Sequence, residues 1–206
     1  MKTGKANYLH FFNEKTKKSY VPKFIYFTKK DYIRDNNKYL GLIKNKFKKK
    51  IIIRSSAIDE DTKNSSNAGK YDSYSNIDPR NKDVVSLNIK KILKLFKNMN
   101  DQVIIQEFLN KPDISGVIFT YDTNNNAPYY IINYDRSNKT DLITSGKKND
   151  TMETLYVYRD KFEIKSDVFN RLIKTVKKIE KIFLNNKLDI EFSIKKKGIY
   201  IFQIRP

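Results

Sequence analysis

Read by its apolar positions, the chain alternates short β-branched or aromatic runs with segments of helical spacing. Residues 21–27 (VPKFIYF) predict a strand opened by Pro22. Residues 29–47 predict a helix with Tyr32, Leu40, Ile43 and Phe47 as apolar contacts. Residues 51–53 form a continuous apolar run suited to a buried strand. It leads directly into Arg54-Ser55-Ser56 and a polar stretch of loop composition ending at Ala68-Gly69. Residues 84–99 place Val85, Ile89, Ile92, Leu93 and Phe96 at helical spacing. Residues 103–109 and 114–120 predict two strands joined around Lys111-Pro112-Asp113, residues 129–134 a third, and 155–158 a short fourth. Ser166 is placed to cap a helix whose apolar face holds Phe169, Leu172, Ile173, Val176, Ile179 and Phe183. Residues 188–194 and 199–204 predict a closing antiparallel hairpin that turns near 196–198. The pattern is mixed α and β with a strand-rich second half, and a boundary near Asn100 and Asp101 divides it into lobes of residues 1–100 and 101–206.

Composition narrows the function classes. A chain of 206 residues suffices for one large domain or two joined lobes, and its 39% hydrophobic content occurs in organised runs. Cysteine is absent, so this sequence holds no disulfide, thiolate metal site or cysteine nucleophile. No apolar stretch approaches the roughly 20 residues that span a bilayer, and the opening MKTGKANYLH lacks the apolar core of a secretory signal. A soluble cytoplasmic protein with no membrane partner is the expectation. The net charge of +19 points to a polyanion. Apart from 48–50 and 195–197, the lysines are spread along the chain beside an excess of Asn and Ile, the pattern of compositional drift. A cation-rich cleft still favours a ligand such as ATP. The alternative from another class is a basic module that stacks single-stranded nucleic acid on aromatic strands.

The segment 51–73 (IIIRSSAIDEDTKNSSNAGKYDS) carries the chemistry. An apolar strand delivers Arg54 to its end, and a run of small polar residues follows. A guanidinium offers forked donors to phosphate oxygens, and a small-residue loop lets backbone N–H groups approach a polyanion. On composition alone the segment also reads as a polar surface loop in which Arg54 pairs with Asp59 or Glu60. At the other end, residues 188–192 (LDIEF) are followed by 198–206 (GIYIFQIRP). Alternation puts Asp189 and Glu191 on one strand face, and Gln203 and Arg205 on one face of the next. If those strands pair, a carboxylate, an amide and a guanidinium converge. That set suits Mg²⁺ and polyphosphate. The plainer reading is a surface ion pair between Glu191 and Arg205.

Arg54, Ser55, Ser56, Ala57, Glu60, Asp61, Ser66, Ala68 and Gly69 match, in order and spacing, the V-R-S-S-A, E-D and terminal A-G of the phosphoenolpyruvate synthase and pyruvate phosphate dikinase family. The tail resembles the D-I-E-W/F and L-Q-x-R-P strands that end the family's ATP-binding (ATP-grasp) domain. Gly4-Lys5 with Leu9 resembles the family's G-G-K-x-x-N-L, with Thr3 and Tyr8 departing from it. Val21-Pro22 with 24–28 resembles V-P-x-x-F-x-x-T, and 103–109 with 115–120 resembles the hinge strand and the S-G-V-x-F-T that follows. The form INYD, then Thr140-Asp141 and Thr144-Ser145-Gly146, resembles a branch that includes bacterial glutamine kinases of capsule phosphoramidate synthesis.

The resemblance implies an α+β, two-lobed ATP-grasp fold with a nucleotide cleft between lobes, shortened relative to the family chiefly between 73 and 103. It implies that Lys5, Arg54 and Arg205 contact ATP phosphates while Ser66, Ala68 and Gly69 close over them as a lid. Gln106, Glu107 and Leu109 would lie against adenine, and Glu191 and Gln203 would hold Mg²⁺ and phosphate. It further implies phosphoryl transfer to a histidine of a separate carrier domain, in cis or trans, and on to a small-molecule acceptor such as pyruvate or glutamine. His10, the one histidine, lies outside the family's carrier motif and reads as a packed or surface residue. A degenerate ATP-grasp scaffold is the remaining alternative.

Overall fold

The computed structural model describes residues 4–17, 20–57, 73–122, 125–137, 151–160 and 164–205. They separate into two compact units. The first draws on Met1–Asn7 and Pro22–Asn110, the second on Tyr8–Val21, Lys111–Ile143 and Lys147–Pro206, counting the described residues within those ranges.

The first unit is a four-stranded antiparallel sheet covered on one face by helices. Its strands are β1 (Phe24–Thr28), β2 (Ile51–Ser56), β3 (Ser73–Ile77) and β4 (Gln102–Glu107), in the order β1-β4-β2-β3. Alternation sends Ile51 and Ile53 of β2, and Val103 and Ile105 of β4, to the same side. There they meet Tyr32 of α2 (Lys29–Arg34), Ile43 of α3 (Asn36–Lys46) and the stripe Val85, Ile89, Ile92 and Leu93 of α4 (Lys82–Leu95). The β1 ladder starts later than the sequence predicts. Pro22 has no N–H to give, so pairing opens at the Lys23 carbonyl, which accepts from the Glu107 N–H at 2.8 Å.

The helix expected across 29–47 is two helices. Thr28 and Asp31 form a reciprocal cap at the start of α2, the Asp31 N–H donating to Thr28 Oγ1 at 3.0 Å. Asp35 then ends α2, donating its own N–H to the Asp31 carbonyl, while its carboxylate accepts from the Lys38 N–H at 3.0 Å and caps α3. A side chain that satisfies the next helix's orphan donors from a non-helical backbone breaks the run in two. Strand β3 has no counterpart in the sequence reading. It is a polar edge strand of five residues, and Asn76, at φ +59°, lies within an irregularity of its register with β2.

The second unit is a five-stranded antiparallel sheet of β5 (Ile114–Phe119), β6 (Tyr129–Asp135), β7 (Glu153–Tyr158), β8 (Asp189–Lys195) and β9 (Gly198–Arg205), ordered β7-β6-β5-β8-β9. Ile132, Ile118, Ile190 and Ile204 stand in one cross-strand row, all fully buried. They share that face with Tyr134, whose ring lies 4.8 Å from Phe169 of α5 (Asp167–Phe183). Helix α5 follows Ser166, as the sequence predicts, but the Ser166 hydroxyl makes no capping hydrogen bond. The predicted closing hairpin is present, and Lys196 takes the left-handed conformation in its turn.

Helix α1 (Lys5–Lys15) was not evident from the chain. Its aromatic and Asn residues have middling helix propensity, and packing supplies the rest. Phe11 meets Phe183 edge-to-face at 5.5 Å, and Phe12 stacks on Tyr20 at 6.1 Å, both within the second unit.

Gly116 of β5 is required by a close approach. A Cβ there would lie 2.4 Å from the Asn133 carbonyl oxygen and 2.9 Å from the Phe192 ring. Gly116→Ala is expected to destabilise the protein by about 1–3 kcal/mol, read as a lowered denaturation midpoint. An unchanged midpoint would show that β5 and β6 are not packed this closely.

Candidate functional site

The candidate residues gather on two sheet faces: in the first unit the face opposite α2, α3 and α4, in the second the face opposite α5, and most of them are buried. In the first unit, Ile52, Arg54 and Ser56 of β2 share a face with Gln102, Ile104 and Gln106 of β4. The register sets Ile52 opposite Gln106, Arg54 opposite Ile104, and Ser56 opposite Gln102. Arg54 and Gln106 are therefore diagonal neighbours, a relation that spans about 7–8 Å in antiparallel pairs. Both are buried, at 9% and 0% exposure. The first turn of α1 lies against the same face. The Ser56 hydroxyl accepts from the Ala6 N–H at 3.1 Å, and Gln102 Nε2 reaches Asn7 Oδ1 at 3.5 Å. This tertiary cap fixes the helix start that carries Lys5, itself 7% exposed.

Gln106 stands apart energetically. Its carboxamide is fully buried, and among the described residues neither its oxygen nor its nitrogen has a hydrogen-bond partner. Such a group costs about 1–3 kcal/mol while unsatisfied. Glu107 points to the opposite side of β4, where Lys49 Nζ sits 2.6 Å from its carboxylate. Leu109 lies beyond the end of β4 and is half-buried. Ser66, Ala68 and Gly69 fall outside the described residues, as do Asp59, Glu60 and the 140–146 segment.

In the second unit the face opposite α5 carries a polar row. Thr154, Asn133, Val117, Glu191 and Gln203 stand opposite one another across β7, β6, β5, β8 and β9. Thr154 Oγ1 donates to Asn133 Oδ1 at 2.8 Å. Glu191 and Gln203 are direct cross-strand partners, a relation that puts Cβ atoms about 4.5–5.5 Å apart. One step along, Asp189 stands opposite Arg205, and Arg205 Nη1 lies 3.5 Å from Asp189 Oδ2. The arginine thus pairs with Asp189, where the plainer reading of the sequence supposed Glu191. One step the other way, the Ser115 and Ser193 hydroxyls are 2.8 Å apart, and Ser115 faces Asp135 in register.

Sequence reasoning missed Asn133, Asp135, Ser115 and Ser193 as members of this face. Their signal was available: polar residues two apart inside apolar strands mark one side of a sheet. His10 is exposed on α1.

Burial raises the Asp135 carboxyl, but hydrogen bonds from the Ser137 hydroxyl and N–H outweigh it, leaving Asp135 below its ordinary value. In the first unit the Thr28 hydroxyl likewise lowers Asp31. Lowered carboxyls hold fewer protons folded than unfolded. Their contribution to stability is complete above the unfolded value near 3.9 and is lost as the pH falls through the lowered folded values. Thermal midpoints are expected to drop on acidification below about pH 4, and less steeply in Asp31→Asn and Asp135→Asn than in wild type. Parallel curves for all three proteins would contradict these assignments.

Glu191 and Gln203 offer two hard oxygen donors on adjacent strands. Among the described residues, no group of three or more His, Cys, Asp or Glu side chains is arranged to hold a metal. A carboxylate and an amide oxygen side by side are compatible with an ion such as Mg²⁺, which binds through one or two protein oxygens and completes its shell with water and phosphate.

No protein-family model matches the sequence, and a search of curated proteins finds no match. Solved structures do match. The chain is similar to D-alanine–D-alanine ligase from Helicobacter pylori (TM-score 0.55, 12% identity, 98% of this chain and 53% of that one). It is also similar to D-alanyl-alanine synthetase A from Vibrio cholerae O1 (TM-score 0.54, 13% identity, 95% and 52%). The same holds for the Bacillus anthracis D-alanine–D-alanine ligase complexed with ATP (TM-score 0.50, 14% identity, 98% and 54%). The chain has an ATP-grasp fold. It spans about half the length of the ATP-grasp chains it matches, and at 12–14% identity the likeness speaks for the fold alone. Among the described residues, no helix is long and apolar enough to cross a membrane.

Proposed function

We propose that this chain binds Mg·ATP as the nucleotide domain of a phosphotransferase resembling the phosphoenolpyruvate synthase and pyruvate phosphate dikinase family. The reading is carried by the β8–β9 register, which makes Glu191 and Gln203 direct partners with Asp189 and Arg205 beside them. Lys5, Arg54 and Arg205 would neutralise phosphates, and Ser66, Ala68 and Gly69 would close over them. Glu191 and Gln203 would hold Mg²⁺, which supplies charge neutralisation to the phosphate oxygens when bound. Gln106, whose amide lacks partners among the described residues, has the donor and acceptor that an adenine edge requires; Glu107 and Leu109 complete that part of the proposal. The ATP-bound state of one ATP-grasp neighbour supports the choice of nucleotide.

Such a site works by positioning and by charge stabilisation. A phosphorus–oxygen bond of ATP would break, its electron pair leaving on the oxygen of the departing phosphate-bearing remainder, as a phosphorus–nitrogen bond forms on a neutral histidine of a separate carrier domain, which would deliver the phosphoryl group to pyruvate, glutamine or another small acceptor. Calorimetric titration with Mg·ATP tests the binding step. Saturable binding that weakens in Arg54→Ala and Arg205→Ala is expected. No binding by wild type would favour an inactive scaffold, and salt-sensitive binding of single strands that survives Arg54→Ala would favour the nucleic-acid module.

A further inference from the structure

Helix α5 and the β8–β9 turn enclose two adjoining recesses on the side of the second sheet away from Glu191. The larger, about 1100 Å³, is lined by Lys165, Arg171, Lys174 and Lys197, with Asp167 and Asn170. The smaller, about 420 Å³, shares Arg171, Lys174 and Lys197 and adds Lys178, Tyr20 and Tyr200. Among the described residues, five cations and one carboxylate thus line two recesses that share three of those cations, here called the groove. Lys165, Lys174, Lys178 and Lys197 are exposed, and among the described residues none of the four has an ion-pair partner.

The groove is built into the fold. Arg171, Lys174 and Lys178 follow i, i+3, i+7 along α5 and so form one stripe about 10 Å long. Arg171 Nη1 donates to the Lys197 carbonyl at 2.8 Å, which ties the left-handed turn at Lys196 to the helix and holds Lys197 opposite the stripe.

We infer that this groove is a second anion site, distinct from the ATP face, which takes an extended polyphosphate chain. Cations about one helical turn apart, 5–6 Å, suit a ligand that repeats its charge along its length. Lysine ammoniums act as point charges on phosphate and impose no fixed geometry. A single phosphate would leave most of the five cations uncompensated. Bases have little purchase here. Among the described residues the larger recess holds no aromatic side chain, Tyr20 is already stacked on Phe12, and the Tyr200 ring lies against Gly198, within 3.0–3.2 Å of where a Cβ would stand.

Fluorescence titration of the full chain with inorganic polyphosphate tests the inference. Wild type should bind it with a steep salt dependence. The double variant Lys174→Glu, Lys197→Glu should lose about tenfold or more in affinity, with a shallower salt slope, while Mg·ATP affinity stays unchanged. Lys90→Glu with Lys94→Glu on α4 changes net charge equally at exposed positions of the first unit, and should leave polyphosphate binding within about twofold. Should the reversed-charge variant fail to fold, Lys174→Gln with Lys197→Gln should show the same loss in smaller degree. Equal effects of the groove and α4 pairs, or no polyphosphate binding, would overturn the inference. So would a single-stranded oligonucleotide that binds the groove more tightly than polyphosphate.

Discussion

Glu191→Gln is expected to weaken Mg·ATP binding by roughly 10- to 140-fold while leaving the fold intact. The substitution keeps the size of the side chain and its ability to accept a hydrogen bond, so the β8–β9 pairing with Gln203 should persist. It removes the formal charge. A hard dication gains far more from a carboxylate than from a neutral amide, and Gln203 already supplies the neutral donor. Interactions with ionised groups contribute about 1.5–3 kcal/mol, and about 1.4 kcal/mol is tenfold in affinity, which sets the range. Calorimetry in the presence and absence of Mg²⁺ separates the contributions. The loss should be confined to the magnesium-dependent part, because Arg54, Lys5 and Arg205 would contact phosphates directly. Identical affinities for wild type and variant in magnesium would remove Glu191 from the site, and the metal assignment with it.

Replacing Gln106 should act on stability and on binding with opposite signs. Its amide is fully buried with neither polar atom partnered among the described residues, flanked across the strands by Phe24 and Ile52. Methionine fills a similar volume without polar atoms. Gln106→Met should therefore stabilise the nucleotide-free protein by up to about 1–3 kcal/mol, a rise of roughly 2–4 °C in midpoint for each kcal/mol at this chain length. The same change removes the donor and acceptor assigned to adenine, so ATP affinity should fall by about three- to tenfold. A residue with a purely structural role would lose stability and binding together. Reduced stability without ligand, or an unchanged ATP affinity, would show that Gln106 is not held in reserve for a nucleotide.

The strand positions of several candidate residues could be read from the chain because the logic is local. The strand 51–56 delivers Arg54 as its apolar run implies, and β8 and β9 pair as the tail's alternation implies. What could not be read is non-local. Asp35 divides a helix because its carboxylate reaches Lys38 while its own backbone leaves the helical region. Helix α1 gains its start from Ser56, 50 residues away, and its later packing from Phe183. The choice of Asp189 as partner for Arg205 depends on the hairpin register, which is irregular between Glu191 and Phe192. A one-residue change in that register would move every side chain to the other face.

From the sequence alone come the mixed α+β pattern, the closing hairpin, and the assignment of Asp189 with Glu191 and of Gln203 with Arg205 to common strand faces. Each of these follows from periods of two or 3.6 residues, which a chain carries wherever it is placed. Tertiary structure alone decided that Glu191 meets Gln203, that Gln106 is buried with no partner among the described residues while Glu107 is held by Lys49, and that five cations of α5, its approach and the β8–β9 turn share one groove. Register, burial and proximity across strands depend on residues distant in the chain, and local patterning carries no record of those distances.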